Sequence, residues 1–226
     1  MKKIFNTAAR VALGLSMAAL ALVYAGNELK IHRITSADPV GRVLTTGEVS
    51  MARDIFGDTI DYSRVRIHKA PAMGDMAVTK GSDIYMEFTS LQGPDLSAAG
   101  PGTGKMLAHE LTHVWQNQKP FSGKKAWLAL RTVPGHLLYV FTDSARVYKY
   151  DISSNKNFTQ LNQEQQAAMV ETFYDATANL RLPLCRQAEA AQAHTLVCDG
   201  SKARVKTLLP RLRPALPVPG APDGPG

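Results

Sequence analysis

Residues 107–120 read LAHELTHVWQNQKP, with His109 and His113 four positions apart and Glu110 directly after the first. Leu107, Leu111, Val114 and Trp115 recur near one face at helical spacing, and Pro120 ends the run. The pattern predicts a core-packed helix from about Gly104 to Gln118 with a polar stripe. On such a helix, positions i and i+4 lie about 40° apart round the axis and roughly 6 Å apart along it. Two imidazoles so placed can converge on one divalent ion at about 2.0–2.1 Å from each nitrogen. Glu110 lies roughly 100° further round, too far for a natural third ligand but well placed to take a proton from water. The histidine and glutamate content makes His-Glu-x-x-His a chance event in about one of two hundred such chains. A metal site therefore outweighs a helix that merely exposes two histidines.

A catalytic zinc site needs a third protein ligand, and this helix does not supply it. The extended spacing that would place another His after His113 is absent, because Gln116 and Lys119 stand where Gly and His would be required. A second strong helical pattern, residues 162–180, offers Glu164 and Glu171. Seven residues apart, they share nearly one face, so one can bind the ion while the other orients a histidine. Spacing alone leaves open which does which.

The chain has 226 residues, enough for one substantial domain. Three of the positives behind its net charge of +7, Lys2, Lys3 and Arg10, precede an uncharged apolar run from Val11 to Ala25. That order predicts a secretory signal peptide, with an uncleaved N-terminal anchor and membrane association as the alternative. Removing residues 1–25 leaves +4, too modest to argue for a nucleic-acid partner. Export to the periplasm or cell envelope gives Cys185 and Cys198 a meaning: they are expected to form a disulfide rather than remain two separate thiols.

Between these landmarks, residues 26–44 read as a polar connector and 45–209 as the folded domain. The Pro-rich stretch 210–226 reads as a disordered tail. Thr45 ahead of Glu48 predicts a capped helix ending at Gly57. Residues 64–68 alternate like a strand, and 75–88 read as two strands around a Lys-Gly turn. The stretch SDIYMEF is expected to form the edge of a substrate cleft. The loop QGPDLSAAGPGTGK resembles a phosphate-binding loop but lacks it: Ala99 and Met106 occupy positions that require Gly and Ser or Thr. A flexible approach to the helix is expected there instead. Residues 124–141 read as an apolar helix broken at Pro134-Gly135, and 145–152 as a weak strand. His136, Tyr139, Tyr148 and Tyr174 are weaker candidates for stabilising an oxyanion. The run KARVKTLLPRLR reads as a solvated basic helix face.

Three segments in order, LTTGEVSMARDIFGDTIDYSRVRIH, MAVTKGSDIYMEF and LAHELTHVWQNQ, followed by EQQAAMVETFY, carry a family likeness over residues 44–180. They resemble the Vgr-related zincin metallopeptidases, kin to the metallopeptidase-like domain of bacterial contractile injection systems. The resemblance implies a zincin-like α+β fold, a small mixed or antiparallel sheet packed on the His-Glu-x-x-His helix and a second ligand helix. It implies a zinc ion held by His109, His113 and a downstream Glu, with Glu110 as general base. The EQQA match favours Glu164 over Glu171, although Ala168 departs from the carboxylate expected there. The expected activity is hydrolysis of a peptide or protein substrate in the cell envelope. The competing expectation is a non-catalytic envelope binding or assembly module whose zinc is structural.

Overall fold

Thr45 opens the first helix as its side chain predicts. Its hydroxyl accepts from the Glu48 amide at 3.1 Å, and the Glu48 carboxylate accepts from the Thr45 amide at 2.8 Å. The resulting helix α1 spans Thr46–Phe56 and stops at Gly57, whose φ of 54° suits a residue without Cβ. The computed structural model describes residues 38–70, 77–87, 93–119, 156–191 and 195–217. The expected leader or anchor, the segments 124–141 and 145–152, and His136, Tyr139, Tyr148 and His194 all lie outside the described residues.

Three short strands follow: β1 (Arg66–Lys69), β2 (Ala77–Lys80) and β3 (Asp83–Met86). A two-residue turn with Gly81 at φ 65° joins β2 to β3, as the Lys-Gly pair predicts. The sheet order is β1-β3-β2, with β1 parallel to β3 and β2 antiparallel to it. This corrects the expectation that SDIYMEF borders the cleft. Ile84, Tyr85 and Met86 are consecutively buried, the mark of a strand covered on both faces, and β3 is the middle strand. The half-buried β2 is the edge instead.

Helix α2 runs Pro101–Gln118, beginning earlier than expected because Pro101 can sit in the first turn, where no amide donor is needed. Leu107, Ala108, Leu111, Val114 and Trp115 are its buried face. The approach loop is anchored rather than loose, with Leu96 fully buried in the core. Helix α3 (Gln163–Arg181) packs on α2 and buries Ala167, Met169, Val170, Phe173 and Ala176. Gly104 permits this close crossing: a Cβ there would collide with the ring and hydroxyl of Tyr174.

Helices α4 (Pro183–Ala190) and α5 (Leu196–Leu212) complete the described part, joined by the expected Cys185–Cys198 disulfide. Helix α5 packs against α3 and corrects two expectations. The basic run is amphipathic rather than merely solvated, because Val205, Leu208, Leu209 and Leu212 are buried between its charges. The boundary after residue 209 falls inside this helix, which accommodates Pro210, and Leu216 beyond it is also core. Apolar residues spaced among Pro and Arg had hidden this packing face. The described residues thus form an α+β fold of one small mixed sheet and five helices.

Glu48 ties the N-terminal half together. Fully buried, it receives both Arg42 guanidinium nitrogens at 2.7 and 2.8 Å, the Leu96 amide at 2.9 Å and the Thr45 amide. Removing one partner of a buried ion pair costs about 3–5 kcal/mol, and the low end applies here because Glu48 is fully buried while Arg42 stays partly exposed. An exposed pair such as Arg53–Asp58 contributes under about 1 kcal/mol. Glu48→Ala is therefore expected to lower unfolding free energy by about 3 kcal/mol or more in urea titrations, and Asp58→Ala to leave it nearly unchanged. Equal effects of the two would contradict this account.

Candidate metal centre

The polar stripe of α2 faces the first turns of α3. His109 and His113 turn their Nε2 atoms toward each other at 3.3 Å, and Oε2 of Glu164 lies 3.4 Å from both. Glu164 is in the first turn of α3, whose start is set by an Asn162 capping box with Gln165. Among the described residues, His109, His113 and Glu164 form a group able to hold a metal ion. The fit is geometric as well as chemical. Tetrahedral ligands at about 2.0–2.1 Å from a central ion stand roughly 3.3–3.4 Å from one another. The near-equilateral triangle of two nitrogens and one oxygen has that spacing. Three ligands also leave a fourth tetrahedral direction for another group.

Glu171, the alternative ligand, occupies a different place. Its Oε2 lies 3.3 Å from His109 Nδ1, the nitrogen facing away from the triangle, and its Oε1 lies 3.4 Å from Lys105 Nζ. It can therefore orient His109 while Glu164 faces the two Nε2 atoms. His113 has its own acceptor, with Gln116 Oε1 at 2.9 Å from Nδ1. Both imidazoles thus present Nε2 inward, with Nδ1 facing a side-chain oxygen. Glu110, on the same helix, is buried, and Thr79 of β2 donates its hydroxyl to Glu110 Oε2 at 2.7 Å.

The electrostatics follow from this crowding. Burial alone would lower the His109 pKa, but the carboxylates of Glu164, Glu171 and Glu110 reverse that and push it up to about 9. His113 is likewise raised, its burial outweighed mainly by Glu164. Burial would raise Glu164, yet the two imidazoles hold it far below the usual carboxylate range. Glu171 is lowered as well, against its burial, by His109 and Lys105.

Sequence reasoning missed three participants: Gln116, Thr79 and Lys105. Gln116, three residues after His113, and Lys105, four before His109, carried a usable signal, since both share the polar stripe. Thr79 carried none, because its contact with Glu110 depends on how the sheet docks onto α2. Tyr174 was weighed as an oxyanion donor, and the structure places it in the helix crossing beside Gly104.

Known proteins are similar to parts of this chain. Residues 48–120, which include most of α1, the sheet and the two histidines, match the eCIS core domain. Over 152 residues the chain is 30% identical to the type VI secretion system spike protein VgrG2b of Pseudomonas aeruginosa, covering 62% of this chain. The chain spans 14% of that relative's length. The solved effector domain of Pseudomonas aeruginosa VgrG2b is also similar, at 25% identity and a TM-score of 0.49, covering 75% of this chain and 95% of that one. The sequence matches link the chain to proteins associated with contractile injection and secretion systems.

Two outcomes are expected of the purified protein. In the metal-free state at neutral pH His109 is protonated, because its pKa is about 9. An ion taking its Nε2 must displace that proton, and His113 is raised as well, so affinity rises with pH above neutrality. Calorimetry of zinc binding in two buffers of different ionisation heat should register proton release; a pH-independent affinity would contradict it. Metal analysis should also separate the carboxylates. Glu164→Ala is expected to lose stoichiometric zinc, whereas Glu171→Ala should retain it with affinity weakened about 10–100-fold. The reverse pattern would exchange their roles.

Proposed function

We propose that this chain is a zinc-dependent peptide hydrolase, exported and associated with a contractile injection or secretion system. The observation that carries the proposal is the triangle of His109 Nε2, His113 Nε2 and Glu164 Oε2, with Glu110 on the same helix. Bound by these three groups, zinc would supply Lewis acidity, lowering the pKa of water and polarising a carbonyl. Glu110 takes a proton from the attacking water and delivers it to the leaving amine. Thr79 holds that carboxylate in one orientation through Oε2. An extended peptide pairs with the outer edge of β2, the strand that carries Thr79, so scissile bond and base are placed by the same strand.

Two further observations are consistent with the setting. The Cys185–Cys198 disulfide fits an oxidising compartment. The match to a secretion-system spike protein supports delivery or assembly with such a machine. The zinc itself supports either chemistry or a purely structural role, and Glu110 separates the two.

Glu110→Gln keeps the volume and the ligands but removes the base. Peptide hydrolysis, followed with a quenched fluorescent peptide library, is expected to fall at least about a hundredfold. Zinc content should remain stoichiometric. A wild-type protein that binds zinc yet cleaves nothing in the library, indistinguishable from Glu110→Gln in binding its partners, would favour the non-catalytic module.

A further inference from the structure

The geometry points to Gln116 as a positioning residue that fixes which nitrogen of His113 is available to the metal, through a relay that ends on backbone carbonyls. This rests on the metal-site reading above and assigns a function to a side chain outside the ligand set.

The direction of the relay is dictated at its far end. Phe158 and Leu161 present carbonyl oxygens, which can only accept. Gln166 Nε2 lies 3.0 and 3.3 Å from them, so the Gln166 amide must turn its nitrogen that way. Its Oε1 then faces Gln116, whose Nε2 donates to it at 2.9 Å and to the Gln163 carbonyl at 3.1 Å. Gln163 too offers only a carbonyl oxygen, so the Gln116 amide has a single satisfactory orientation. Its Oε1 is left facing His113 Nδ1 at 2.9 Å. An acceptor there requires a proton on Nδ1. When an ion takes the other nitrogen, Nε2 presents its lone pair toward His109 and Glu164. Three backbone carbonyls thus select one tautomer of a ligand several bonds away.

The same side chain also sets a distance. Gln163 immediately precedes Glu164, so the bond from Gln116 pins the turn carrying the third ligand to the helix carrying the first two. His109 reaches a comparable arrangement with a carboxylate, Glu171; His113 does so with a neutral amide.

The test uses the full chain, with zinc affinity measured by competition with a chromophoric chelator and fold stability by thermal denaturation of the metal-free protein. Gln116→Met keeps the volume and removes the acceptor, so zinc affinity should fall about 10–100-fold. Gln116→Glu keeps an acceptor for Nδ1 but loses the donor to Gln163 and Gln166. It should lower stability and, with the Nδ1 acceptor kept but the bond to Gln163 lost, weaken affinity by less than Gln116→Met does. A side chain that only packs would move the two readouts together. Nitrogen-15 NMR of the zinc-loaded wild type gives a readout independent of any variant, and should find the His113 proton on Nδ1. Unchanged zinc affinity in Gln116→Met, or a His113 proton on Nε2, would overturn the assignment while leaving the metal site standing. A wild type that binds no zinc would overturn both.

Discussion

Two imidazole nitrogens and a carboxylate oxygen in a 3.3–3.4 Å triangle need a proton or a cation among them. Their lone pairs would otherwise repel across a half-buried helix interface. Protons on the imidazoles answer that demand, which is why both histidines hold their protons above the ordinary range while Glu164 stays ionised far below its own. A divalent ion answers it equally well. Proton and metal are alternative solutions to one electrostatic constraint, and the crossing of α2 and α3 imposes it.

That crossing is held by ordinary packing. The Gly104 notch lets the helices approach, and Leu107, Leu111, Val170 and Phe173 lie in the common core. Helix α5 adds Val205, Leu208 and Leu212 against α3, while the disulfide ties α4 to α5. Large apolar burial is what makes a costly polar cluster tolerable, because each fully buried Leu or Phe offsets roughly 1.5–3 kcal/mol. The ligand helix is thus braced by residues that never touch the site.

Local signals were legible in the sequence, and contacts between distant segments were not. The Thr45–Glu48 box, the Lys80-Gly81 turn and the α2 periodicity are each encoded within a few residues, and each marks its element in the folded chain. The candidate ligands were readable for the same reason, since i and i+4 fix His109 and His113 on one stripe. The rank of a strand in its sheet is a long-range fact, and the side chains of β3 suit either an edge or the middle. Helix α5 was obscured differently: Pro210 and five basic residues between 202 and 213 suggested solvent, whereas the apolar face between them needed α3 to reveal its purpose. Choosing between Glu164 and Glu171 required knowing which turn of α3 meets His113, and no spacing within α3 contains that.

The formal charges around the site explain why one histidine is oriented by a carboxylate and the other by an amide. Glu110, Glu164 and Glu171 contribute three formal negative charges and Lys105 one positive, with both imidazoles counted as neutral. The balance is −2, which one divalent ion or two imidazole protons would cancel. A second orienting carboxylate in place of Gln116 would leave an excess negative charge in a cavity that water screens poorly. An amide gives His113 Nδ1 the acceptor it needs without that charge, and the Gln163 and Gln166 acceptors fix the amide's direction. Gln116 is suited to its place because it accepts toward His113, donates toward α3 and adds no charge beside three carboxylates.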